Sequence, residues 1–380
     1  MLRPVCTLAQ PVTTGLYGWF PCHNGGMKDL TTGRSYGDVL LVPQRSPVDS
    51  RDDVDLSTPL TPKIQLERPL LSAPMDTVTE RETAIALSAA GGFGTIHRFL
   101  AIDEQVAEVR AVVEAGERVG AAVGIADGYL ERTERALEAG AEAIVLDVAH
   151  AHLERALAAV ETLVDEYDPA NLIVGNVATP EGVRDLYAAG ADTVKVGIGP
   201  GSHCTTRRVA GAGVPQLTAV DQCADAAEDL DVPVIADGGI QSSGDAVKAL
   251  MAGADTVMLG RLFAGTAEAP GDVVEIEGDQ YKRSRGMATT AANEDRTDKD
   301  GAAADADEGV EGLTPYSGDL VDVADRFAAG IRSGLSYCGG HTIPEARASA
   351  EFMEVAASAR EREGAHFDHD WESVVGDGSD

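Results

Sequence analysis

The sequence predicts an α/β fold, a single (β/α)8 TIM barrel, on three observations. A unit recurs: "EAGAEAIVLDVA" (138–149), "AAGADTVKVGIG" (188–199) and "MAGADTVMLG" (251–260) each join a helix end to an Ala-Gly-Ala turn and an apolar, β-branched run. Five further runs complete a set of eight. Helical stretches rich in Ala, Glu and Leu alternate with them at 102–116, 128–139, 152–166, 180–189 and 243–252. Alternating β and α units argue for a parallel sheet. The rival is an open doubly wound sheet, which carries GxGxxG after its first strand. That motif is absent there, which favours the barrel.

In chain order the strands are expected in "PLLSAPM" (69–75), "FGTIHRF" (93–99), "GAAVGI" (120–125), the run inside 138–149, "LIVGNVA" (172–178), the run inside 188–199, "VPVIADGGI" (232–240) and the run inside 251–260. Each is apolar on successive residues, as a strand covered on both faces must be. The glycine of each repeat accepts the left-handed conformation that ends a helix. The barrel domain is expected over 27–362. Residues 1–26 have few acids and no periodicity, and are read as an extension upstream of a start at Met27. Segment 288–310 is acidic, Ala-rich and free of aromatics. Composition alone makes it a solvated linker, but a long loop in a compact domain is commonly an active-site flap. Residues 363–380 read as a flexible acidic tail.

Composition excludes several classes. There are 63 acidic residues against 30 basic, a net charge of −33, and six of the basic residues are lysine. The acids are spread along the chain, which suits solubility in high salt, as in a halophile, better than one docking face for a basic partner. No basic patch for nucleic acid is visible. No apolar run is long enough to span a membrane, so the cytoplasm is the default location. Five cysteines without CxxC spacing make neither a disulfide framework nor a structural zinc site.

In this kind of barrel the residues just past the strand C-termini form the active face. That rule selects Met75 after strand one, Asp147 and Asn176 at the ends of strands four and five, and Cys204 after strand six. It also selects Asp237-Gly238-Gly239 after strand seven and Gly260-Arg261 after strand eight. A lone cysteine is ordinarily a small buried hydrophobe, and Cys223 and Cys338 are read that way. Cys204 follows a Gly-Pro-Gly turn in "VKVGIGPGSHCTTR" and is flanked by Ser202, Thr205, Thr206 and Arg207. Backbone N–H groups and nearby cations can activate a thiolate, so this context favours a nucleophile.

"GIGPGSHCTTR" followed by "GAGVPQLTAV" closely resembles the signature of the IMP dehydrogenase and GMP reductase family. So do "YGDVLLVPQRS", "LLSAPMDTVTE", "IADGGI", "MLGRLFAGTAEAPG", "RSRGM", "EGVEGLTPYSG" and "IRSGLSYCGG". The resemblance runs from about Asp29 to Glu361. It implies a homotetrameric barrel acting at C2 of a purine nucleotide monophosphate with NAD or NADP. Cys204 would add to C2 and give a covalent thioimidate. The resemblance gives Asp237 the ribose hydroxyls, and Ser202, Gly238, Gly239 and Gly260 the phosphate. It makes Asn176, Met75 and Met287 substrate-side residues, and Asp147, Gly197 and Gly199 cofactor-side ones. Thr206 and Glu308 match a proton-relay pair. The carbonyls of Gly199, Gly201 and Cys204 match a monovalent-cation site, with K+ as the implied ion.

Three features bear on which member this is. The regulatory domains that most dehydrogenases insert after strand two are missing. The flap is short, as in reductases. Dehydrogenases carry Arg-Tyr on that flap, and here Arg296 is followed by Thr297. Ser284 stands where dehydrogenases have a phosphate-binding tyrosine, and Arg261 next to the phosphate could replace that contact with a charged fork. Ala288, Arg98 and Ala151 also depart from the usual residues. Some dehydrogenases also lack the inserted domains, and the substituted residues depart from both patterns; the short flap without its tyrosine favours GMP reductase. IMP dehydrogenase is the alternative, and a non-catalytic nucleotide-binding barrel is a third reading.

Overall fold

In the computed structural model, which describes residues 31–289, 292 and 309–362, each of the eight expected runs contains a strand. They are β1 (Leu70–Ser72), β2 (Gly94–Ile96), β3 (Val119–Val123), β4 (Ala143–Asp147), β5 (Leu172–Val177), β6 (Thr193–Val196), β7 (Val234–Asp237) and β8 (Thr256–Leu259). All pair in parallel with their sequence neighbours from β2 to β8. β8 then pairs with β1, Val257 opposite Leu70. The ring closes at Leu71–Phe93, where Phe93 N–H donates to Leu70 O and Ser72 N–H to Phe93 O, both at 3.1 Å.

The unbroken apolar runs have two destinations. In β4, Ala143 and Val145 point into the barrel with Ile173, Ile235 and Met258, whereas Ile144 and Leu146 join the layer beneath the helices. A hairpin of Thr58–Thr61 and Ile64–Leu66 plugs the barrel floor with Leu60, Ile64 and Leu66. Thr193 at the start of β6 donates to Leu60 O at 2.7 Å.

The outer ring comprises α1 (Arg81–Ala89), α2 (Ile102–Glu114), α3 (Tyr129–Glu138), α4 (Glu154–Tyr167), α5 (Pro180–Ala189), α6 (Gln216–Glu228), α7 (Ser243–Met251) and α8 (Leu320–Cys338). In the recurring turn, Gly140, Gly190 and Gly253 have φ of +99°, +112° and +108°, the conformation expected of them. In α8, Leu320, Val323, Phe327, Ile331 and Leu335 fall at helical spacing and are buried. Each contributes about 1.5–3 kcal/mol of apolar burial. Cys338, like Cys223 in α6, is buried as expected, and burial pushes the Cys223 thiol up to about 12.

Between β8 and α8 the chain builds a three-stranded antiparallel sheet of Val273–Ile276, Asp279–Arg285 and Glu311–Pro315. Its loop to β8 is pinned by buried Lys282, which donates to the carbonyls of Thr266 (3.0 Å), Ala267 (3.3 Å) and Ala269. Near the two ends of the domain, Val39–Leu41 pairs antiparallel with Phe352–Glu354. No described helix is long and apolar enough to cross a membrane. The proposed extension (1–26), tail (363–380) and most of the flap lie outside the described residues.

Candidate active site

Strand β6 delivers the loop that carries Cys204. Gly197 follows it with φ +154°, and a Cβ there would lie 2.0 Å from the Asp237 carbonyl oxygen. Only glycine lets β6 and β7 approach so closely before the loop turns away. Gly197→Ala is therefore expected to destabilise the fold by about 2 kcal/mol or more. Chemical denaturation reads this directly, and an unchanged midpoint would contradict the packing.

Beyond Gly-Pro-Gly, Cys204 N–H donates to Gly201 O at 3.0 Å. The thiol points to the Thr206 hydroxyl, its acceptor at 3.2 Å. Cys204 is half-buried and opens onto a cleft of about 610 Å³ at the C-terminal mouth of the barrel. Gly201, Ser202, Thr206 and Asp237 line the same cleft, as do Gly238, Gly239, Gly260 and Arg261. Met75 and Met287 face it from the β1 loop and the three-stranded sheet. Residues drawn from the ends of β1, β6, β7 and β8 and from 286–288 thus converge on one space.

Behind the cleft lies a charged cluster that the sequence reading did not anticipate. Lys195 in β6 is 1% exposed, and its ammonium donates to Asp147 Oδ1 at 2.8 Å, to Asp237 Oδ2 at 2.7 Å and to Asn176 Oδ1. Asn176 Nδ2 donates in turn to Asp237 Oδ2 at 2.9 Å and to Gly197 O at 2.7 Å. Burial opposes the lysine's charge, but the two carboxylates outweigh it and raise its pKa. Both bonds to Asp237 fall on Oδ2, which leaves Oδ1 to accept from a ligand. Gln216 fixes the Asp237 backbone, donating to its carbonyl at 3.0 Å. The clue in the sequence is a single charge inside a strand that is otherwise apolar on successive residues.

The three-stranded sheet supplies the opposite wall. Arg285 grips Asp76 Oδ2 through Nε at 2.8 Å and a terminal nitrogen at 2.5 Å, both side chains largely buried. Asp76 N–H points to Met287 Sδ at 3.4 Å. His203 Nε2 lies 2.8 Å from the Ser284 hydroxyl. Burial first and Arg261 second lower the His203 pKa, favouring the neutral ring.

Asp147 and Asn176 stand one layer back from the cleft wall, joined to it through Lys195 and Asp237. Gly197 and Gly199 do not line the cleft: their missing Cβ atoms would strike Asp237 O and, at 2.7 Å, Arg207 Cγ. Arg98 donates through Nε to Asp147 O at 3.2 Å. Glu308 and Arg296 lie outside the described residues. Among those described, no group of three or more His, Cys, Asp or Glu could hold a metal ion.

Residues 33–366 match the family described as "IMP dehydrogenase / GMP reductase domain". The chain is 35% identical to inosine-5'-monophosphate dehydrogenase of Nitrosopumilus maritimus, with 86% of this chain and 97% of the relative covered. It is 33% identical to GMP reductase of Leishmania major, with 90% and 98% covered. These alignments run over 460 and 485 positions, more than the 380 residues here, so relatives of both names carry inserted segments. The missing insertion therefore does not sort dehydrogenase from reductase. Among solved structures, GMP reductase from Trypanosoma brucei, a cysteine-to-alanine variant in complex with guanosine 5'-monophosphate, superposes with a TM-score of 0.85 at 30% identity. That match covers 89% of this chain and 98% of the other. With the motifs, the barrel and this match over most of its length, the chain belongs to the IMP dehydrogenase / GMP reductase family of oxidoreductases.

Proposed function

We propose that this protein is a GMP reductase, converting GMP, NADPH and a proton to IMP, ammonia and NADP+. The observation that supports chemistry at C2 is the opening of the Cys204 thiol and the Asp237 carboxylate onto one cleft, with Thr206 within hydrogen-bond reach of the sulfur; the choice of reductase rests on the flap sequence, where Arg296 is followed by Thr297. A purine nucleotide monophosphate fits with its ribose hydroxyls on Asp237 Oδ1. Its phosphate then lies among Ser202, Gly238, Gly239, Gly260 and Arg261, and its base beside Cys204. The thiolate adds to C2, the C2–amine bond breaks, and the amine leaves as ammonia after taking a proton. Thr206 sits where it can pass that proton, and Glu308 is the proposed partner in the relay. When bound, the nicotinamide cofactor would supply the hydride at C2, and the C2–S bond then breaks to give IMP and return the Cys204 thiolate. Asp147 fits its ribose: the side chain is 25% exposed, and Lys195 engages only Oδ1. Gly197 and Gly199 could contribute only backbone atoms. Three loop carbonyls alone make an incomplete shell for K+. No step is assigned to a cation.

The second reading is IMP dehydrogenase, which shares the thioimidate but must position a water to yield XMP. It is favoured by the relative from N. maritimus. Paired assays in high KCl separate the two: NADPH oxidation with GMP, and NADH formation with IMP. We expect NADPH oxidation with release of ammonia. Activity confined to IMP and NAD would reverse the assignment, and nucleotide binding without turnover in either assay would make the protein a binding barrel.

A further inference from the structure

His203, the residue before the nucleophile, is joined to both edges of the opposite wall. Its carbonyl accepts Val310 N–H at 2.9 Å, and Cys204 itself forms an antiparallel bridge with Gly309. These backbone contacts reach one limb of the wall. The imidazole reaches the other limb, with Nε2 2.8 Å from Ser284 Oγ, which in turn lies 2.7 Å from Thr314 Oγ1. Ser284 and Thr314 are 1% and 5% exposed, so this hydroxyl chain is shielded from competing water. Gly286 completes the fit: its N–H donates to Val310 O at 3.0 Å, and a Cβ there would lie 2.7 Å from His203 O. Strand Asp279–Arg285 is itself fixed to the barrel by the Asp76–Arg285 pair and by Lys282. The imidazole therefore ties the Gly-rich loop that carries Cys204 to a strand fixed to the barrel.

We propose that His203 is a positioning residue for Cys204, holding the sulfur at its place in the cleft through the His203–Ser284–Thr314 chain. The proposal rests on Cys204 being the nucleophile and does not depend on which nucleotide is turned over. Displacing a reacting group by about 1 Å costs on the order of 100-fold in rate, so one well-placed tie suffices to matter. Two hydrogen-bonded side chains acting as one tie also give non-additive losses when removed together.

The experiment compares His203→Ala, His203→Gln, Ser284→Ala and the His203→Ala/Ser284→Ala double variant. It measures kcat and KM for the turned-over nucleotide. It also measures the rate at which iodoacetamide alkylates Cys204 in nucleotide-free protein, mapped by peptide mass. His203→Ala is expected to lower kcat about 10- to 100-fold with nucleotide KM within about twofold, and to change the alkylation rate by a similar order. Ser284→Ala should act in the same direction, the double variant should be no worse than His203→Ala, and glutamine, whose amide can meet Ser284, should restore most of the loss. A loss confined to KM would make the imidazole a nucleotide contact and overturn the proposal. So would unchanged kcat and alkylation, or losses that multiply in the double variant. If His203→Ala does not fold, Ser284→Ala and His203→Gln carry the same comparison. If neither nucleotide is turned over, the alkylation rates still decide the point, so failure of the proposed activity and failure of this tie are read separately.

Discussion

Replacing Cys204 with alanine is expected to abolish turnover while leaving the barrel and its nucleotide affinity intact. Removing a covalent nucleophile costs about 10⁴-fold or more in kcat, because no other group can form the intermediate. The structural cost is small. The side chain is half-buried at a loop, makes one sulfur–hydroxyl hydrogen bond, and leaves the backbone bond to Gly201 untouched. Such a substitution is worth about 1 kcal/mol at most. Steady-state assays and a thermal melt on the same preparation test both halves. Residual turnover near the parent rate would remove Cys204 from the chemistry. Reagents for thiols should also mark Cys204 ahead of Cys223, whose pKa burial raises to about 12.

The second large effect is expected at Lys195. Lys195→Met removes the countercharge from Asp147 and Asp237 together and leaves the Asn176 carbonyl without its donor. Breaking a buried pair from one side costs about 3–5 kcal/mol, since an uncompensated charge stays behind. The variant should melt several degrees lower and bind nucleotide poorly, because Asp237 loses its alignment. Adding Asp147→Asn should recover part of the melting temperature without recovering activity. A Lys195→Met protein that melts with the parent would refute the account of the cluster. The pH dependence has a definite sign. The folded-state pKa lies above the ordinary lysine value of 10.5, so this contribution is complete below that value and is lost only as pH rises through the folded pKa.

The barrel was legible because burial on both faces writes the same signature eight times. The order of the runs alone then places Cys204, Asp237 and Gly260 at one mouth. Lys195 was not legible. Its partners are 19 to 48 positions away, and locally the residue only interrupts an apolar strand. The three-stranded sheet escaped for the opposite reason. Strand Val273–Ile276 is exposed throughout and has no buried face to impose a pattern. His203 looked like a neighbour of the nucleophile, and only the pairing of distant chain segments reveals that it reaches Ser284. Asp147 and Asn176 read as ligand contacts, and what the sequence did not reveal is that Lys195 ties both of them to Asp237.

Ring closure also has a bearing on how the protein is made. Leu70 must wait for Val257, roughly 190 residues later in the chain. At about 5–20 residues per second of translation, one edge of β1 stays open for on the order of 10–40 s. An unpaired apolar strand is an invitation to pair with a neighbouring nascent chain. Slow emergence from the ribosome therefore leaves this fold dependent on keeping that first rung covered until the last one arrives.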